Sequence, residues 1–435
     1  MHWILFALYN IVVIPILFVG FRIAAVFNHK IARGLQGRRH LFSELSRQLQ
    51  AWPKGQPRIW VHISSMGEFE QAKPVIRAIK TRRPDCLVLI TFFSPSGYDH
   101  SRGFKLADAI SYLPFDSYRQ SCKFLRRLRP DAAVVIRHDI WPNYQWQLHA
   151  LGIPCFLIDA SVSQIRQQQL RRVRRLVADV FRTFTEVHVT TADNVAAVLE
   201  LYPFRDRLHI MGDTRYDQVY LRTQEHEKIS LLIDSQLFAR ERCFIAGSTW
   251  PEDEAVILPA LFQLLHEHPD YKLVIAPHEL SQDHLQGLTS RLQENRLSFI
   301  PLSRFRDRVN DAFQVLLIDQ FGILANLYAL GDLAYVGGSF GPGVHSVLEP
   351  AAHSCMVLFG PRHTRSLEAL ELKKRGAGQA IDRSEDLQPI LQRWLEQPQS
   401  VRNAGSLALQ LVQENLGASE RIANRILAQR TGSTN

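Results

Sequence analysis

From Arg58 onward the chain alternates short apolar runs with amphipathic stretches. Residues 58–64, rich in β-branched and aromatic side chains, predict a strand, residues 68–80 a helix and residues 86–93 the next strand. Residues 131–137, 153–160 and 186–191 continue the series. The pattern then restarts at 243–249, 271–277, 314–319, 333–339 and 355–361. Between the two series, residues 217–242 lack strand character and contain the expected link. Strands separated by helices imply parallel pairing through right-handed crossovers. The expected fold class is therefore α/β, with two Rossmann-like doubly wound domains whose strand C-terminal ends face a central cleft. That architecture suits a nucleotide-sugar enzyme, an epimerase or a two-domain binding protein, so it does not choose a function.

The amino terminus reads differently. Residues 3–21 carry no charge and are apolar apart from Asn10. About 20 such residues suffice to cross a bilayer. The cations Arg22, Lys30, Arg33, Arg38 and Arg39 all follow the run, which places its C-terminal side in the cytoplasm. A secretory signal carries its charge before the apolar run, so an uncleaved anchor is expected. Pro15 can kink a spanning helix without forbidding it, and a helix embedded in one leaflet is equally compatible.

The net charge of +9 asks for an anionic partner: nucleic acid, an acidic membrane or a phosphorylated substrate. Two clusters stand out, Arg126, Arg127 and Arg129, and Arg171, Arg172, Arg174 and Arg175. The second lies on a helical apolar pattern and reads either as a solvated face or as a face for lipid phosphates. No recognisable nucleic-acid module accompanies the basic residues. The five cysteines are scattered without zinc or disulfide spacing, so no metal is expected and a reduced, cytosol-facing chain is.

Several candidate sites directly follow expected strands. In Ser64-Ser65-Met66-Gly67-Glu68, small residues open a helix with a carboxylate in its first turn. Glu68 there either favours the helix dipole or serves as a general base. Residues 91–98 form a strand end and polar turn; Arg137, His138 and Asp139 place three ionisable groups after another strand. The strongest signal is the glycine-rich stretch 336–350, with Gly337, Gly338, Ser339, Gly341 and Gly343 before a helical start. Such a loop lets a phosphate approach the backbone, and Glu349 can accept hydrogen bonds from ribose hydroxyls. It is neither a Walker A loop nor a dinucleotide fingerprint.

These segments, taken in order, resemble the Kdo transferases of glycosyltransferase family 30 over nearly the whole chain. The resemblance rests on WVHISSMGEFEQAKPVIRAI, TFFSPSGYD, YLPFD, RPDAAVVIRHDIWPN, GDTRYD, AGSTWPEDE, VIAPHE and YVGGSFGPGVHSVLEPAAHSCMVLFGP. Its wording is most similar to the Bacteroidetes branch. It implies a GT-B fold, no cofactor, a CMP-Kdo donor and lipid IVA, the tetra-acylated lipid A precursor, as acceptor in lipopolysaccharide biosynthesis. By the resemblance, Glu68 is the catalytic base of an inverting transfer with CMP leaving, and Asp139 and Arg215 stabilise the transition state. Pro277 and His278, Phe321, Gly322 and Ile323, and Ser346, Val347, Leu348 and Glu349 fall on the stretches that hold CMP. The implied place is the inner membrane, with the catalytic domains on the cytoplasmic side.

The expected domains are an anchor at 1–28, an acceptor domain at 40–225, a donor domain at 226–410 and a helix at 411–435 packing back on the first domain. Departures from the widespread pattern are Asp139 for Glu, Arg215 for Lys, His278 for Arg, Ser346 for Asn, and Phe321-Gly322-Ile323 for a Met-Gly-Glu stretch. Two other readings compete: a GT-B transferase using another nucleotide sugar, and an inactive membrane-bound lipid-binding protein.

Overall fold

The computed structural model describes residues 2–137, 139–161, 174–224, 238–305 and 312–429. Arg171, Arg172 and His138, singled out above, lie outside the described residues. The chain forms two compact units, residues 1–218 with 416–435, and residues 219–415.

The first unit carries β1 (Arg58–Ile63), β2 (Leu87–Phe92), β3 (Ala109–Tyr112), β4 (Ala132–Ile136), β5 (Cys155–Ala160), β6 (Glu186–Val189) and β7 (Leu208–Ile210). They pair in parallel in the order β3-β2-β1-β4-β5-β6-β7. Both faces are covered, which is why the central strands read as unbroken apolar runs. Ile59, Val61 and Ile63 of β1 face one core with Val75, Ile76 and Ile79, while Trp60 faces the other with Phe124 and Tyr144.

The second unit repeats the plan with β8 (Cys243–Thr249), β9 (Lys272–Pro277), β10 (Phe299–Pro301), β11 (Val315–Leu317), β12 (Leu333–Val336), β13 (Met356–Phe359) and β14 (Gly378–Ala380). Their order is β10-β11-β9-β8-β12-β13-β14, again parallel. The doubly wound fold expected from the sequence is present in both units. The strands not anticipated are β3, β7, β10 and β14, and they are the four sheet edges.

The strand order reverses between β1 and β4 in the first sheet and between β8 and β12 in the second, where β10 and β11 are also exchanged at the edge. Ligands of doubly wound sheets bind outside the strand C-terminal ends at that reversal. The turn at 64–68 follows β1, Arg137 and Asp139 follow β4, and the glycine-rich loop follows β12, so these fall at the two reversals, while the turn at 91–98 follows β2.

The amino-terminal apolar segment is helical from His2 to Phe27, with a π turn at Tyr9–Val13. Pro15 has no N–H to give to the preceding turn, and the Ile14 N–H donates five residues back to the Tyr9 carbonyl. The helix from Trp3 to Phe27 is long and apolar enough to cross a membrane. It is nevertheless pinned to the first unit along one side. The Tyr9 hydroxyl donates to Asp116 Oδ2 at 2.8 Å, and the Asn10 and Asn143 amides exchange hydrogen bonds at 2.9 and 3.0 Å. Phe6 packs edge-on against Tyr118 and Trp146, and Phe21 against Phe93 and Phe115. Trp3, Ile4, Ile11, Ile16, Val19, Ile23, Val26 and Phe27 remain exposed. An apolar face this long marks association with a membrane.

The last helix, Ala418–Ala428, returns to the first unit. Ile422, Ala423 and Ile426 are buried with Val75, Ile76 and Met211. Glu186 of β6 receives hydrogen bonds from Arg425 at 2.5 and 3.1 Å and from Gln429 at 2.9 Å. Burial alone would raise the Glu186 carboxyl; His188 and Arg425 outweigh it and hold it down at about 2.

Candidate active site

Ser65 caps the helix Met66–Arg82, and Glu68 completes a capping box with it. The Ser64 N–H, the Ser64 hydroxyl and the Ser65 N–H all reach the same Glu68 oxygen, Oε2, at 2.7, 2.5 and 3.1 Å. Among the described residues no hydrogen bond falls on Oε1. The side chain is only 7% exposed. Glu68 is therefore held rigidly by one oxygen while the other is left to accept a proton, so the capping role and a base role coexist in one residue.

Asp139 stands after β4, beside the end of β1. Its Oδ2 pairs with His62 Nε2 at 2.8 Å, and His62 Nδ1 lies 3.0 Å from Thr91 Oγ1. Trp60 Nε1 donates to the same Thr91 oxygen at 2.8 Å. An indole N–H can only donate, so Thr91 accepts from Trp60. An ionised carboxylate can only accept, so the His62 hydrogen that faces Asp139 is on Nε2. The sequence marked Thr91 only as the start of the turn at 91–98 and His62 only as a strand residue; the polarity of His62 amid an apolar run was the available signal.

Arg215 opens the helix Thr214–Thr223, and its guanidinium grips Asp213 through Nε and Nη2 at 2.9 and 2.6 Å. Burial works against ionising Asp213, but the Arg215 charge and hydrogen bonds hold its carboxyl below the usual range. Thr214 donates both its N–H and its hydroxyl to Asp159 at the end of β5. Burial, reinforced by Asp213, raises Asp159 to about 7. Asp159 thus ties the start of the Arg215 helix to the sheet next to β4. The structure brings Glu68, Asp139 and Arg215 to the ends of β1, to its neighbour β4, and to a helix fastened at β5.

In the second unit the glycine-rich loop follows β12. Gly337 lies against the backbone of Ser248 and Thr249, and its N–H donates to the Gly247 carbonyl at 2.9 Å. Gly338 has a φ of +95°, and a Cβ there would overlap the Gly343 carbonyl and lie 2.8 Å from the His345 ring. The Gly338 N–H donates to Asp253 Oδ2 at 2.8 Å, and the Gly341 and Gly343 N–H groups donate to the Gly338 carbonyl. The glycines hence let the loop fold tightly on itself, and these four amides already have partners. Ser339 is buried and its hydroxyl has no partner among the described residues.

Pro277 ends β9, and the His278 N–H donates to the Thr249 carbonyl at 2.9 Å, which brings His278 beside the loop. His278 stacks on Trp250 and His345. Ser346 is exposed, Val347 and Leu348 are buried, and Glu349 pairs with Arg222 at 2.8 Å. Phe321 is 75% exposed and Gly322 has a φ of +90°; no hydrogen bond or ring contact described joins that turn to His278 or Ser346. Trp250 and His345 were not marked as site residues in the sequence. No group of three or more metal-ligating side chains occurs among the described residues.

Comparison with known proteins relates part of the chain to a family. The family described as "3-Deoxy-D-manno-octulosonic-acid transferase (kdotransferase)" aligns with residues 36–218. A 3-deoxy-D-manno-octulosonic acid transferase of Haemophilus influenzae is 26% identical over 378 residues, covering 84% of this chain and 85% of the relative. A probable mitochondrial 3-deoxy-D-manno-octulosonic acid transferase of Arabidopsis thaliana is 26% identical over 312 residues, covering 69% of this chain and 68% of the relative. Among solved structures, the UDP-GlcNAc 2-epimerase of Neisseria meningitidis superposes with a TM-score of 0.59 at 16% identity, over 86% of this chain and all of that one. That likeness concerns the fold alone. Two Rossmann-like units, each a parallel seven-stranded sheet, give the chain a fold of the GT-B type. Within that fold class, residues 36–218 match the Kdo transferase family, and the Kdo transferases of Haemophilus influenzae and Arabidopsis thaliana are similar over 84% and 69% of the chain.

Proposed function

We propose that this enzyme transfers Kdo from CMP-Kdo to lipid IVA, with inversion at the anomeric carbon. Glu68 Oε1 takes the proton of the acceptor hydroxyl as its oxygen bonds to that carbon. The bond from the anomeric carbon to the phosphate oxygen breaks, and CMP leaves with the electron pair. Asp139, oriented by His62, and Arg215, aimed by Asp213, stabilise the charge that develops. Pro277 and His278, Phe321 to Ile323, and Ser346 to Glu349 contact CMP, whose phosphate lies against the loop Gly337, Gly338, Ser339, Gly341 and Gly343. Fixed cations and dipoles at the developing charge can carry such a transfer.

The observation that carries this reading is the split role of Glu68, with one oxygen fully bonded and the other open at the β1–β4 reversal. The activity for which the similar proteins are named points the same way. The acceptor binds the first unit and the donor the second, in line with the expected domains at 40–225 and 226–410. The amino-terminal helix embeds in one leaflet of the inner membrane from the cytoplasmic side. Its support is the pinning through Tyr9 and Asn10, which a helix leaving the domain to span the bilayer would give up.

Mass spectrometry of the lipid product, after incubation with CMP-Kdo and lipid IVA, tests the reading. A gain of one or more Kdo units is expected. Transfer from a UDP-sugar with none from CMP-Kdo would replace the donor, and lipid binding without turnover would replace the enzyme with a binding protein.

A further inference from the structure

At the loop of the second unit, Trp250 and His345 are joined edge to edge. The indole Nε1–H donates to His345 Nε2 at 3.0 Å, and the two ring planes are within 5° of parallel. His278 stacks on both rings, 4.8 Å from the indole centroid and 4.2 Å from the His345 centroid. His345 in turn packs against Gly338, where any side chain would strike its ring.

The hydrogen bond decides the protonation of this group. An indole N–H only donates, so His345 Nε2 must keep its lone pair, and the ring is neutral with its hydrogen on Nδ1. Burial and the neighbouring His278 push His345 below the ordinary histidine range, against the pull of Asp253. Two cationic rings stacked this closely would repel, so the pair accommodates one positive charge. His278 is exposed, and its ring lies over the Trp250 and His345 rings.

The other ionisable groups nearby are already occupied. Asp253 accepts from the Tyr335 hydroxyl and from the Gly338 and Trp250 amides. Glu254 is taken by Thr249 and His284. Glu279, next to His278 on the same strand end, is exposed.

We infer that Trp250 and His345 form an aromatic floor that positions His278 as a protonatable cation for an anionic phosphodiester at this loop, so that donor binding takes up one proton. His278 touches the phosphate; Trp250 and His345 act through it as positioning residues. The inference rests on the reading that the second unit holds the donor.

The test is calorimetric binding of cytidine 5′-(methyl phosphate) to the whole chain, in buffers of different ionisation enthalpy. This diester lacks the second phosphate ionisation near pH 6 that would mask the effect with CMP itself. One fully linked proton changes affinity by about a decade per pH unit, so binding weakens by more than about tenfold, and by at most about a hundredfold, between pH 6 and 8 as uptake approaches one proton. His278→Arg carries a permanent charge and flattens the profile while still binding. Trp250→Phe keeps an aromatic face but loses the indole donor, and displaces the profile. Proton-free, pH-independent binding by the wild type would overturn the coupling, as would an unchanged slope in His278→Arg. A wild-type profile in Trp250→Phe would overturn the floor. Absence of binding at every pH would instead overturn the assignment of the donor site.

Discussion

Glu68→Gln separates the two roles of that residue. A glutamine at the third helical position completes a capping box as glutamate does, so its amide oxygen still receives the Ser64 and Ser65 amides now held at 2.7 and 3.1 Å. Hydrogen bonds to a charged acceptor contribute about 1 kcal/mol more each than neutral ones, so the change costs about 1–2 kcal/mol of stability. The base is lost completely, because an amide does not take the acceptor proton. General base catalysis contributes about 10²–10⁴-fold, equivalent to about 3–5 kcal/mol of barrier. Glu68→Ala loses the box as well and leaves two amides without their acceptor, so it lowers the melting temperature more than Glu68→Gln does. The measurements are product formation by mass spectrometry at saturating CMP-Kdo, alongside thermal unfolding in the same detergent. Transfer by Glu68→Gln within tenfold of wild type would refute the base assignment and leave Glu68 as a cap alone.

Three further perturbations read other parts of the structure. Gly338→Ala forces a side chain into a left-handed position against His345; a loss of about 2–4 kcal/mol and of cytidine-nucleotide binding is expected, checked by thermal unfolding and calorimetry. Arg425→Ala leaves Glu186 buried beside His188 without its main cation, and about 1–3 kcal/mol of stability is lost at neutral pH. Because the folded Glu186 titrates near 2, below its ordinary value, its contribution is fully present above about pH 4.5 and disappears as pH falls towards 2. The stability difference between wild type and Arg425→Ala should shrink over that window, and a constant difference would refute the clamp. Tyr9→Phe removes the hydroxyl bonded to Asp116 at a cost of about 1–2 kcal/mol, and hydrogen exchange should quicken in residues 2–27 without lowering transfer to a soluble acceptor analogue.

Much of this protein can be read from local pattern. The ten central strands announce themselves because a parallel strand covered on both faces must be apolar throughout, as Val134 and Ile136 of β4 and Phe244 and Ile245 of β8 are. The spacing of Ser65 and Glu68 marks the start of a helix, and the uncharged run of residues 3–21 marks the membrane-associated one, since both depend only on neighbours in the chain. The edge strands β3, β7, β10 and β14 were not legible: three or four residues such as Gly378-Gln379-Ala380 carry too little pattern, and an edge needs pairing on one side only.

What the tertiary structure alone decided are the partnerships of polar residues far apart in sequence. Nothing local tells His62 that Asp139 will stand beside it, Asn10 that it will meet Asn143, or Glu186 that Arg425 will close over it. The same holds for Trp250, His278 and His345, which three separate crossovers bring to the end of one sheet. Strand identity is a property of apolar burial, which each segment carries in its own composition. The directed bonds that orient and charge the site depend on which strand ends become neighbours, and that is set only when the sheets assemble.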